Sequence, residues 1–302
     1  MPLLPVAPPV AVPGGAGFDY VTVDAARRRV YAAHGAASSL LIVDADTGAV
    51  LKQVTVGRMA GVAVNDATGD VYTGDGDDQA VSEVDPVAGV VVHRVAVDGH
   101  VDAIAYDPDL GRIYADEDDG NRIFVIDSKT FKQIGVVALP GHHPEYLAID
   151  PKTHEIYQNI ASDNEFVVVD PTSLKVTRTV ATPELTNNHP LQYDAGYGHI
   201  LTGGSGKISV YTPAGVLLST LDVPARFDQC SLDQGSHVLA CAGGGKVALI
   251  STDAAGHATL LAEADGPKGN HTIGIDAKTG AVWTPYGTRG GDAFIIRYRQ
   301  SP

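Results

Sequence analysis

Basic residues, cysteines and helical patterning are what this chain has little of. Lysine and arginine number 21 against 36 aspartates and glutamates, a formal charge of −15. A nucleic-acid backbone or an anionic membrane surface is therefore not expected as a partner. Cations, or a substrate held through a cation, suit that balance better. Cys230 and Cys241 are the only cysteines, too few for a disulfide framework or a zinc ribbon. They read as packed thiols, Cys241 standing near enough to the later site to be considered as a soft ligand. No apolar run approaches the ~20 residues of a membrane span. The opening MPLLPVAPPVAVPGG lacks a basic n-region and is broken by prolines, unlike a signal peptide. The expected location is periplasmic or secreted if a signal has been removed, and cytoplasmic otherwise. No long stretch repeats apolar residues at helical spacing.

Internal repetition is what fills the chain instead. An apolar segment ending in Asp, a tight turn and an apolar-Tyr pair recur as VTVDAARRRVY (21–31), VAVNDATGDVY (62–72), IAYDPDLGRIY (104–114) and LAIDPKTHEIY (147–157). Looser copies follow at LQYDAGYGHIL (191–201), CSLDQGSHVL (230–239) and IGIDAKTGAVW (273–283), making seven. Their spacing of roughly 40 residues suits four-stranded propeller blades. Each copy continues into a third strand such as LLIVD (40–44) or EFVVVD (165–170), then a DxxTG or DPTS turn and a fourth strand. Alternating apolar and polar residues between Gly, Asp and Pro punctuation support strands throughout.

The last copy lacks a fourth strand, and PPVAVPG at 8–14 matches the fourth-strand phrase GVVALPG at 135–141. The expected fold is therefore all-β: a seven-bladed β-propeller of four-stranded antiparallel blades, one domain over 1–302. Residues 8–14 supply the outer strand of a last blade that otherwise spans 266–302. Such closure removes exposed sheet edges. Through Val30-Tyr31, Val71-Tyr72, Ile113-Tyr114 and Ile156-Tyr157, with Asp44, Asp85, Asp127 and Asp170 at the third-strand turn, the chain resembles the YVTN-type β-propeller repeat family. That resemblance implies fold; propellers of this kind host both enzymes and binding proteins.

A feature present in nearly every copy belongs to the blade. Asp24, Asn65, Asp107, Asp150, Asp194, Asp233 and Asp276 are expected to shape turns by bonding their own backbone. The aromatic series Tyr31, Tyr72, Tyr114, Tyr157 and Trp283 is expected to pack between blades. More informative is the position five residues before each turn Asp or Asn: Asp19, Ala60, Asp102, Glu145, His189, Asp228 and His271. It marks the entrance to the innermost strand, so all seven should ring the central channel at one face. The returning end of strand two brings His34, Asp75, Asp116, Glu117, Asn159 and Tyr286 toward the same face, and the loops before strand one add His100, His142 and His143. These form an expected outer shell.

Carboxylates converging on one axis repel: two unit charges ~6 Å apart cost roughly 3 kcal/mol at an effective dielectric of about 20. The ring must hold itself open, protonate some members or bind a cation. Two histidines beside the acids add nitrogen ligands acceptable to zinc, copper, manganese or iron. A divalent metal from that set, preferred over calcium, is expected on His189, His271, Asp19, Asp102, Glu145 and Asp228. A solvated rim is the alternative. GDGDD (74–78) and DEDDGN (116–121) lack the full calcium-loop spacing and read as solvated hairpin tips. GGSGK (203–207) and GGGK (243–246) lack the phosphate-loop spacing and read as hairpin turns.

The leading functional expectation is a metal-dependent enzyme with its active site at the channel mouth, a hydrolase or lyase acting on a small molecule. His271, His189 and Glu145 are its catalytic candidates. The site layout resembles lactonase-type and gluconolactonase-type propellers, in which an axial divalent cation holds the substrate oxygen. It is also similar to virginiamycin B lyase-type propellers, whose catalytic histidine enters from an inner-strand entrance. Two alternatives stand beside it: a non-catalytic propeller that binds a ligand, metal or partner protein, and a copper-type redox enzyme. A monomer is expected.

Overall fold

The structure, a computed structural model, describes residues 2–301. Seven sheets follow one another along the chain, and each of the first six is a four-stranded antiparallel meander. Their innermost strands are Val21–Asp24, Met59–Val64, Val101–Asp107, Pro144–Ile149, Leu191–Asp194 and Gln229–Asp233, and that of the seventh blade is Gly274–Asp276. The second strands run outward from the turn, as Arg29–His34 does in the first blade, and return the chain to the opposite face.

Ring closure uses the N-terminal segment, in two pieces rather than one. Val10–Val12 pairs with Ala293–Ile295 as 8–14 leads one to expect, and Leu3–Pro5 pairs with Tyr298–Gln300 on the same edge. Leu3 and Val12 are buried there. An ion pair bridges the same seam, partly exposed Arg28 of the first blade lying 2.7 Å from buried Asp276 of the seventh.

The six repeated aspartates and Asn65 shape turns. Each of the seven accepts a backbone N–H two or three residues on: Asp24 from Arg27 at 2.7 Å, Asn65 from Ala67 at 3.1 Å, Asp150 from Lys152 at 2.8 Å, and the others likewise. Several also reach the neighbouring blade, as Asp107 does to His154 at 2.9 Å and Asp194 to His237 at 2.8 Å. Tyr31, Tyr72, Tyr114, Tyr157 and Trp283 are all buried between blades. Each contributes about 2–3 kcal/mol by leaving water.

Cys230 and Cys241 are not packed thiols. They form a disulfide between the first two strands of the sixth blade, where they are direct cross-strand partners with Cα atoms 4.1 Å apart. With both sulfurs bonded to each other, Cys241 offers no thiolate to a metal.

Candidate functional site

The inner strands place their entrances around one mouth. In the second, third and fourth blades a β-bulge interrupts pairing just after this point, between Met59 and Val62, Val101 and Ile104, and Glu145 and Leu147. A bulge bends the strand and re-aims its side chains. Here it turns Asp102 and Glu145 toward the axis. The result is a bowl of about 250 Å³ lined by Asp19, Asp102, Glu145, His189, Asp228 and His271. Ala60 contributes its backbone, its carbonyl accepting the Tyr20 N–H at 3.2 Å.

The floor was not foreseen. Tyr20 and Tyr146 line both the bowl and a cavity of about 220 Å³ beneath it, their rings tilted against each other at 5.2 Å. Tyr20 donates to Asp102 at 3.2 Å and Gln229 donates to Asp19 at 2.8 Å. All three stand one residue after a ring position, and reading that next column of the repeat identifies them, since its other members include the small Gly61 and Ala103. Asp118 belongs to the bowl too, although its hairpin reads as a solvated tip. Arg226, which reaches His189, comes from a loop that carries no repeat signal.

The expected outer shell splits. His34, Asp75, Asp116 and Asn159 are fully buried and committed to holding the blades, and they do not line the bowl. His34 bonds the Gly15 carbonyl at 2.7 Å and stacks on Phe18 at 4.2 Å. Asp75 accepts from Ser82 at 2.6 Å and Thr73 at 2.9 Å. Asp116 accepts from the Ala103 N–H at 2.6 Å and from Gln158 at 3.0 Å. Asn159 donates to the carbonyls of His189 and Pro190, both at 3.0 Å, and so fixes the entrance segment of the next blade. His100 and His143 are exposed outside the bowl, His143 pairing with Asp119 at 2.8 Å. Tyr286 lines a separate cavity of about 240 Å³ on the far side of His271.

The two histidines differ in state. His271 Nε2 stands 2.9 Å from the Phe18 carbonyl and Nδ1 stands 3.1 Å from Asp228 Oδ2. Both partners only accept, so both ring nitrogens must carry protons. Burial works against that charge, but the Asp228 hydrogen bond and the charges of Asp19 and Asp228 outweigh it and hold the imidazole above its ordinary range. Asp228 is held below its ordinary range: burial opposes this, and the His271 hydrogen bond with the charges of His189 and His271 overcomes it. His189 is pushed down by burial, with Arg226 adding to the effect against the pull of Asp228. Its Nδ1 lies 3.2 Å from the Asn187 carbonyl, which leaves Nε2 unprotonated in the neutral ring and accepting from the Arg226 guanidinium at 3.4 Å. That nitrogen is 3.5 Å from Asp228 and 3.6 Å from Glu145.

The acids are pushed the other way. Glu145 rises to about 9, first by burial and then by the charges of Asp116 and Asp228. Asp19 rises to about 6, burial outweighing His271 and Gln229. Asp102 lies well above the usual carboxylate range through burial and the charges of Asp19 and Asp116. Among the described residues, no three His, Cys, Asp or Glu side chains stand close enough together, as placed, to hold one metal ion.

No known protein-family model matches the chain, and neither does the sequence of any curated protein. Likeness appears among solved structures. A chain of Kuenenia stuttgartiensis hydrazine synthase is 14% identical with a TM-score of 0.81, over 95% of this chain and 97% of that one. A chain of a mitotic checkpoint complex is 14% identical with a TM-score of 0.81, over 97% of this chain and 91% of that one. At such identity the likeness is one of fold, and the fold it gives is the seven-bladed β-propeller.

Proposed function

We propose that the bowl is the active site of a hydrolase or lyase that moves protons on a small molecule, with Glu145 and His189 as the acid–base pair. The observation that carries this reading is their 3.6 Å separation with opposite protonation bias. At neutral pH Glu145 holds its proton and His189 Nε2 lacks one, so an acid and a base face the same space. His189 Nε2 takes a proton from a water or a substrate carbon, and Glu145 gives one to the leaving oxygen. The proton then returns from His189 to Glu145 across the gap between them, which resets the pair. The Asn187 carbonyl orients His189 through Nδ1, Arg226 must move off Nε2 for it to take a proton, and Asp228 with the His271 imidazolium balances charge.

A divalent cation would require these side chains to close in on it, since among the described residues no three of them stand close enough as placed. Asp19, Asp102, Asp118 and Glu145 carboxylates with His189 Nε2 are its available donors. His271, with both nitrogens facing acceptors, is not among them. One nitrogen and several oxygens favour manganese, magnesium or calcium over copper. A bound cation supplies the charge that otherwise has to come from protons, and polarises a substrate oxygen. The Val-Tyr and Asp-turn phrases support placing the chain with YVTN-type repeats. The Cys230–Cys241 bond supports an oxidising compartment. The second reading, a binding propeller, is supported by the small bowl, which suits a receptor equally well, and the two similar structures point both ways.

The test combines a panel of lactone, ester and β-elimination substrates with carbon-13 NMR of the Glu145 carboxyl in chelator-treated protein. We expect Glu145 to titrate well above neutrality and to drop when calcium is added. E145Q and H189N should each lower turnover by about 10²–10⁴-fold. A Glu145 carboxyl that titrates beside surface glutamates, near 4.5, refutes the acid–base reading.

A further inference from the structure

The largest cavity lies at the other face of the ring, in the seam between the first and second blades. It measures about 670 Å³, within the range of small-molecule sites, and its floor is Tyr31 and Ile42. Its position follows from a gap in the repeat. The turn between strands three and four carries, at its fifth place, Gly48, Gly89, Phe131, Leu174, Gly215 and Gly256. At five seams an apolar side chain fills the space at this turn. Phe131 lies against Tyr72 and His93, Leu174 packs over Gly135, Val180 over Gly215, Leu218 over Gly256 and Trp283 over Gly48. At the seam of the first two blades the turn residue is Gly89 and the facing residue is Lys52. A charged stem stands where the others have a plug, and the seam stays open.

The chemistry of the walls selects a ligand. In a chain of net charge −15, three cations, Arg27, Arg29 and Lys52, meet two carboxylates, Asp70 and Asp85, around this cavity. Arg27 is committed, bonding Asp24 and the carbonyls of Asp66 and Ala67. Lys52 makes its one hydrogen bond to the Val87 carbonyl, at 2.6 Å, and forms no ion pair among the described residues. An ammonium has three donors, so two of its N–H groups remain for a ligand. Arg29 uses one nitrogen, on Asp44 and the Arg28 carbonyl, which leaves the other edge of its guanidinium open. Asp70 and Asp85 repel a second negative charge. Leu51 and Val87 stand exposed at the rim, 45% and 85% accessible, and cover the body of a ligand rather than its charge.

We propose that this cleft is a binding site for a small organic monocarboxylate with an apolar body, its carboxylate on Lys52 and Arg29 and its body against Leu51 and Val87. The site is independent of the acid bowl and of any activity there.

The experiment is a calorimetric and NMR titration of the full chain with benzoate, using benzyl alcohol as the neutral isostere and phenyl phosphate as the dianion. We expect benzoate to bind, K52Q to weaken it by about tenfold, and both comparators to bind more weakly than benzoate. G89F fills the cleft at a cost in backbone strain, since φ at Gly89 is 77° against the 50° and 53° that Phe131 and Leu174 hold at the equivalent place, and it pushes Lys52 aside. Loss of benzoate binding in folded G89F supports the proposal. Benzyl alcohol binding as tightly as benzoate, K52Q binding unchanged, or benzoate shifts centred on His189 each overturns it. Should G89F fail to fold, K52Q and R29Q decide alone.

Discussion

Glu145 and His271 are raised by different forces, and acidity of the medium should separate them. Glu145 moves from 4.5 to about 9 because burial and neighbouring acids disfavour its charge. Its neutral form stabilises the fold fully below pH 4.5, and that stabilisation is lost as pH rises toward 9. Asp19 acts likewise between 3.8 and about 6. His271 is raised by Asp228 instead, and its contribution also fades as pH climbs through its elevated value. We expect thermal stability to decline from weakly acidic to alkaline pH. E145Q should flatten the decline above pH 6, read by thermal unfolding across the range; an unchanged slope overturns the raised Glu145. H271Q strands the Asp228 carboxylate and should cost about 1–3 kcal/mol in denaturant unfolding.

Strand entrances carry the ring, and a staple holds one of them. The disulfide ties the inner strand of the sixth blade, next to Asp228 and Gln229, to its partner strand across a sequence separation of 11. Closing a loop of this length is worth about 3 kcal/mol in the chain-entropy account. The double variant C230S/C241S should lose about that much in urea unfolding, and its bowl should loosen at Gln229. The repeat made the blades legible because each element is set by local alternation and an Asp turn. It also made the ring legible, because position within a repeat is preserved whatever residue fills it. The sulfur pairing was missed, because only the register of the folded hairpin, with Asp233 opposite Val238, sets Cys230 opposite Cys241. Burial was not readable. His34, Asp75, Asp116 and Asn159 sit at mouth-side strand ends, yet the sequence does not show that partners on neighbouring strands absorb them before they reach the bowl. His271 needed geometry as well, since its protonation depends on the Phe18 carbonyl, 253 residues away.

A closed ring depends on its seam as a barrel depends on its last hoop. Leu3 and Val12 together are worth more than about 3 kcal/mol by burial, and the two short strands that carry them cover the edge of Ala293–Gln300. Deleting residues 1–14 should lower the melting temperature far more than removal of an ordinary tail, and unchanged unfolding contradicts the closure. R28Q, which leaves buried Asp276 without its cation, should cost about 3 kcal/mol. The ring has one more property, which comes from Tyr20 and Tyr146 lying across its axis. A seven-bladed ring invites the picture of a tunnel, with entry at one end and exit at the other. These two phenols stand between the bowl and the cavities that continue beneath it. If the bowl is a reaction site as proposed, a product still resting on Glu145 fills the space that the ring residues line, and the next substrate has to wait for it. Product inhibition of any activity there is accordingly competitive.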